Sequence, residues 1–343
     1  MNVKNNCGKL TWTILSISLL TVMAGAAIAP ALGIIRDHFS DASDVLVQLI
    51  VSLPALLIIV TNLVFPRLCR WMKTRTLALT GLVLYVLAGA GCFFVDNIWI
   101  LLCLRALLGL SVGMIMPLST GLLAYYYPPE KQAGLMGLLF LPNERLSGGS
   151  RPSLGLLKRF HPSVVGMFLV MVLFFIYPTR FSMSAHAGTD LSNNAITFIM
   201  VGLDMVAFLV GLVFGKVMEN FRYGIKYMAP IGFMLGYYLL SMGSSLPLLL
   251  AGSVAIGIAN GVGVPYLNTI ASLKAGRTAA STVMPLLSAA LYLGQFLSPL
   301  IVTPLCRALF EATDYLSPFK IGVMIGVVYL LQVFLTRKRQ VVK

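Results

Sequence analysis

The sequence predicts an all-α integral membrane protein, on three observations. Of its 343 residues 58% are hydrophobic and 10% charged, whereas a soluble domain carries about 25% charged residues. The apolar runs are long and lack period-two alternation, so they read as helices rather than barrel strands. The basic residues sit in short segments between those runs.

Ten spans are expected, at 11–35, 43–66, 76–95, 98–126, 162–184, 193–215, 224–243, 247–271, 280–305 and 317–336. Each approaches or exceeds the roughly 20 residues needed to cross a bilayer. Lys4 and Lys9 before the first span resemble a signal peptide. The run is longer than an h-region of about 7–15 residues, so a retained first span is expected despite a cleavage-like Ala27-Ile28-Ala29. Span four holds Arg105 inside an otherwise uncharged run, followed by Gly109, Gly113 and Pro117. An arginine in lipid costs from about 2.5 to more than 10 kcal/mol, so a helix keeps one where it meets a wet cavity or a partner. Glycines four apart let helices touch closely, and a proline bends the helix. Between spans four and five, 128–161 reads as a cytoplasmic linker whose apolar piece, Ala133–Leu141, is too short to cross.

Twenty bases, among them Arg67, Arg70, Lys73, Arg75, Lys216 and Lys274, fall on one set of loops and ends, and three (Arg36, Arg307, Lys320) on the other. Both termini are therefore expected in the cytoplasm. The same distribution reads the net charge of +14 as a topology signal and not as a nucleic-acid surface. Cys7, Cys69, Cys92, Cys103 and Cys306 are scattered, which supports neither a disulfide framework nor a zinc site. His38, His161 and His186 lie in or near loops and read as solvated. No metal or cofactor is expected. Gly109–Gly113 spells a hydrolase elbow and Gly211–Val217 approaches a phosphate loop. The first lies mid-helix, and the second is one residue short and lacks Ser or Thr after its lysine. An enzyme is thus not expected, and transport by this chain would run on a gradient.

An internal repeat organises the spans. Gly109, Gly113 and Pro117 recur 148 residues later as Gly257, Gly261 and Pro265. Asn62–Leu68 of span two aligns with Gly211–Val217 of span six at an offset of 149. Partner spans are four apart, so both copies point the same way, as in transporters built around a central cavity.

Several stretches resemble the major facilitator superfamily: IAPALGIIRDHF at the end of span one, Arg105 with its two glycines, the Gly257–Pro265 stretch, and GQFLSP at Gly294–Pro299. The resemblance implies twelve spans in two bundles of six, with a solute path between them, and links the span-four arginine to proton coupling. The loop after span two departs from the family pattern, with Asn62 in place of a glycine and Pro66 in place of an aspartate, while Arg67 remains. The second-half copy, Gly211 to Lys216, keeps the glycine. Together with Arg70 these residues are the candidate conformational loops. Four spans stand where the family has six, and AGLMGL followed by LFLPNE reads as the start of a fifth span joined to the end of a sixth near Gly137–Leu139. A helix hairpin is therefore expected to be missing, by natural truncation or by omission from the sequence. The expected organisation is an N-terminal bundle at 1–127, the linker at 128–161 and a six-helix bundle at 162–343.

The candidate pathway residues are Arg105 and Asp204, the latter a carboxylate well inside a span. The bland alternative for each is a structural bond to a neighbouring helix. Asn260, Tyr266, Asn268 and Gln295 are uncharged polar groups in apolar helices, fit to line a cavity or to join helices. Arg180 reads either as a snorkelling side chain or as a gate or substrate contact. The expected function is a secondary active transporter of a small organic solute in a bacterial-type plasma membrane, working by proton-coupled efflux. Uptake by symport, or a transport-inactive truncated protein, are the alternatives. The implied partners are the small-molecule solute, protons or another coupling ion, and the lipid bilayer.

Overall fold

The computed structural model describes residues 27–126, 154–221, 224–243, 245–311 and 314–336. After a 3-10 turn at Ala29–Ala31 come α1 (Leu32–His38), α2 (Asp44–Trp71), α3 (Thr74–Gly91), a second 3-10 turn at Cys92–Phe94 and α4 (Ile98–Tyr126). They are followed by α5 (Leu154–Gly188), α6 (Asn193–Phe221), α7 (Ile225–Ser241), α8 (Leu246–Leu309) and α9 (Ser317–Leu335). A bilayer admits this architecture because a helix satisfies its own backbone groups, which hydrocarbon cannot do. Eight stretches among the described residues are long and apolar enough to cross a membrane, and α7 adds a run of 17 residues. The first expected span lies mostly, and the junction near Gly137 wholly, outside the described residues.

Short polar residues start the helices. Ser43 Oγ accepts from Leu46 N–H, Asn97 Oδ1 from Trp99 N–H at 2.9 Å, and Ser192 Oγ from Ala195 N–H. Each satisfies a donor that the first helical turn leaves unpaired. Prolines at the first turns of α8 and α9 give up a donor that has no helical partner there.

The spans expected at 247–271 and 280–305 are both present, as the two arms of α8. Helical turns run on through the residues that join the arms, so α8 covers Leu246–Leu309, but the chain reverses direction between them. The first arm, Leu246–Ala275, runs antiparallel to α5, pairing Ser253 with Tyr177 and Gly263 with Val170. The second arm, Val283–Leu309, runs parallel to α5, pairing Ser298 with Val172 and Thr303 with Arg180. The reversal therefore falls between Ala275 and Val283. Helix α5 also starts earlier than expected, at Leu154.

Contacts divide the chain into two units. The first holds Met1–Ile28 and Leu53–Gly149, the second Ala29–Ser52 and Ser150–Lys343. In the described part of the first unit, α3 packs on α4 and α4 on the later turns of α2. In the second, α5 is surrounded by both arms of α8, by α9 and by α1. Hydroxyls and an amide tie α7, α8 and α9 to backbone carbonyls of α5: Tyr237 to Leu173, Ser298 to Val172 at 2.8 Å, and Gln332 to Pro162 at 2.9 Å. In a membrane, where lipid is as apolar as the helix surface, such bonds and close packing do the work of the hydrophobic effect.

Candidate functional site

The repeated glycines are seams in both units. A Cβ on Gly109 would stand 2.6 Å from the Pro54 carbonyl oxygen, and one on Gly113 2.6 Å from Thr61 Cβ. In the second unit a Cβ on Gly257 would stand 2.8 Å from the Leu203 carbonyl oxygen, and one on Gly261 2.6 Å from that of Ala207. So α4 closes on α2, and the first arm of α8 closes on α6, backbone to backbone. The partners repeat as well. Pro54 and Leu57 meet Gly109 where Leu203 and Val206 meet Gly257, and Thr61 meets Gly113 where Val210 meets Gly261. Each partner pair is 149 residues apart and each glycine pair 148, the two offsets read in the sequence. Pro265 lies inside α8. Pro117 lies within the range of α4, its side chain outside the described residues.

Arg105 sits on α4 one turn before Gly109 and is 4% exposed. Tyr85 and Cys92, on or just past α3, lie within electrostatic reach of its guanidinium. Asp204 lies eleven residues into α6, about 16 Å along its axis, with its side chain exposed. It stands between the packed face of Leu203 and Ala207 and the exposed face of Val201 and Met205. The structure does not bring Arg105 and Asp204 into one unit.

The polar residues of α8 scatter. Asn260 is half-buried, with its Oδ1 buried and unpartnered. Tyr266 packs beside Phe214, Ile225 and Val262, and Asn268 is half-buried. Gln295 Nε2 donates to Met171 Sδ at 3.7 Å, a weak hydrogen bond to sulfur. On the candidate loops Arg67 and Lys216 are exposed, Gly211 is half-buried, and the Arg70 side chain is outside the described residues. Asn62 Oδ1 is buried and unpartnered.

Arg180 gives the most connected constellation. It lies eight residues before the end of α5 and is 8% exposed, so it does not snorkel. Its Nη2 donates to Thr303 Oγ1 at 2.7 Å, and that hydroxyl contacts Gln48 Oε1 at 3.2 Å. Its Nη1 is 3.5 Å from Asp44 Oδ2, while Asp44 Oδ1 takes a shorter ion pair, 2.7 Å, from Arg36 Nε. Sequence reasoning named Arg180 and placed Asp44 in a loop, but passed over Gln48, Ser52 and Thr303. The available signal was the spacing Asp44, Gln48, Ser52, one polar residue per turn along one face of an apolar helix. One turn further, Tyr177 and Ser253 share a buried hydroxyl pair at 2.7 Å.

Residues 14–144 match the model of the Major Facilitator Superfamily. Solved structures carry the same fold over nearly the whole chain. The human organic anion transporter TETRAN aligns with a TM-score of 0.68 at 14% identity, covering 97% of this chain and 100% of its own. A bacterial homologue of the human lysosomal transporter Spinster aligns with a TM-score of 0.72 at 13% identity, covering 98% and 96%. This chain has the major facilitator fold. A mutant of the nucleoside transporter NupG aligns with a TM-score of 0.71 at 11% identity, covering 96% and 100%. No curated protein matches the sequence. The eight spans found among the described residues are fewer than the twelve that the resemblance implied.

Proposed function

We propose that this chain is a secondary active transporter that moves a small organic solute across the membrane by alternating access. The observation that carries the reading is the duplicated seam: glycine-closed helix pairs recurring in two units, the glycines 148 and their partners 149 residues apart, on a fold shared with transporters. Repeated bundles with rigid internal contacts can rock as bodies, which is how such transporters expose a central site to each side in turn. The chain works in a plasma membrane with both termini cytoplasmic, because its bases crowd one set of loops.

The direction we favour is efflux against a proton gradient. Asp204 is a membrane-embedded carboxylate able to take up and release a proton, and Arg105 is the buried cation that responds to charge on the pathway. The sparse charge of the spans suits amphipathic or lipophilic solutes. Everted vesicles carrying the protein should show solute accumulation that collapses with the pH gradient. Absence of gradient-dependent flux, with the protein intact in the vesicles, removes the reading. Accumulation in whole cells instead of extrusion turns efflux into uptake.

A further inference from the structure

The Arg180 cluster holds more donors than acceptors. Thr303 accepts from Arg180 Nη2, so its own proton points at Gln48 Oε1, and this fixes the Gln48 amide with its NH2 turned away. That NH2 is buried and unpartnered, as are Arg180 Nε and Ser52 Oγ. Gln48 and Ser52 are fully enclosed, and Arg180 is 8% exposed. Gln48 Nε2 and Arg180 Nε each lie two covalent bonds from an atom that contacts the same Thr303 hydroxyl, and Ser52 is one turn along α2 from Gln48. Unpaired donors this deep are costly, and each calls for an acceptor. The charge is also unbalanced, because Arg36 and Arg180 share Asp44, which pairs more closely with Arg36.

We propose that this seam between α2, α5 and the second arm of α8 binds the carboxylate of a small organic acid. The acid's two oxygens take the open Nε edge of the Arg180 guanidinium and the Gln48 and Ser52 donors. A guanidinium presents parallel N–H groups along that edge, the geometry that a carboxylate matches. Asp44 is then a competitor that holds Arg180 while the site is empty. The seam is sealed in this conformation, so access to it rests on the alternating motion of the transport reading. The inference thereby narrows the solute to one bearing an acid group.

The test uses the full-length protein in lipid nanodiscs, with its thermal midpoint followed during titration with sodium benzoate, benzamide or sodium chloride. Benzoate should raise the midpoint and benzamide should not. Gln48→Leu and Ser52→Ala should each weaken the apparent benzoate affinity about tenfold. Asp44→Asn should strengthen it by a similar factor, a sign that a purely structural Asp44 would not give. Arg180→Gln should abolish the response. Gln48→Leu and Ser52→Ala keep the test sharp if that variant fails to fold. Equal shifts with benzamide, no shift with benzoate, a shift with chloride alone, or weaker binding in Asp44→Asn each overturn the proposal. Flux in proteoliposomes separates the two readings. Benzoate binding without flux of any solute removes transport and leaves the site. Gradient-driven flux of a neutral solute with no benzoate response removes the site and leaves transport.

Discussion

Gly261→Ala adds one methyl group at a tight seam in the second unit, where the first arm of α8 meets α6. Its Cβ would lie 2.6 Å from the Ala207 carbonyl oxygen and 2.9 Å from Val210 Cβ. Ordinary contact begins at 3.4 Å, so α6 and the first arm of α8 must part by 0.8 Å or distort. The obstacle is backbone, which no rotamer change can relieve. Overpacking of this kind costs about 1–3 kcal/mol, and the retreat also loosens the contacts of Gly257 on Leu203 and Val206. Gly215→Ala is the control, because nothing lies within 4 Å of its added Cβ and alanine is the better helix former by about 1 kcal/mol. Thermal unfolding of the purified variants in detergent, followed by a thiol-reactive dye, should place Gly261→Ala well below wild type and Gly215→Ala at or above it. Gly109→Ala, facing the Pro54 carbonyl oxygen at 2.6 Å, should fall as Gly261→Ala does. If Gly261→Ala unfolds together with Gly215→Ala, the seams are not tight and the argument from them fails.

Other consequences are checked more briefly. Asp204→Asn and Arg105→Ala should insert normally yet lose proton-coupled flux in everted vesicles; undiminished flux in both would end their assignment to the pathway. Tyr177→Phe removes the hydroxyl pair with Ser253 and should cost about 0.6–2 kcal/mol in a denaturation series, the worth of one interhelical bond in a membrane. Gly322→Ala sets a methyl 2.6 Å from the enclosed Tyr237 ring; its unfolding midpoint should drop and the Tyr237 bond to Leu173 should weaken. With Cys69 as the sole cysteine, an impermeant maleimide should label everted vesicles and spare intact cells, since Cys69 is exposed in the last turn of α2 beside the basic loop; the opposite pattern would reverse the orientation.

The helices were legible because lipid leaves a chain few choices: an apolar run of the right length has to be a helix. The seams were legible because a fixed offset survives even in sequence whose apolar letters are nearly interchangeable. The Arg180 constellation was not. Asp44 lies 136 residues from Arg180 and Thr303 a further 123 beyond it, and no local pattern announces that three distant helix ends will meet. Asp44 looked like a loop acid because it opens its helix, and the one-per-turn spacing with Gln48 and Ser52 was easy to pass over as ordinary polar punctuation.

The duplicated seam makes the protein a replicate of itself. An alteration at Gly109 has a twin at Gly257, and one at Gly113 has a twin at Gly261. Wherever the twins respond unequally, the excess measures what that half does beyond standing up. The molecule thus carries its own yardstick for telling architecture from work.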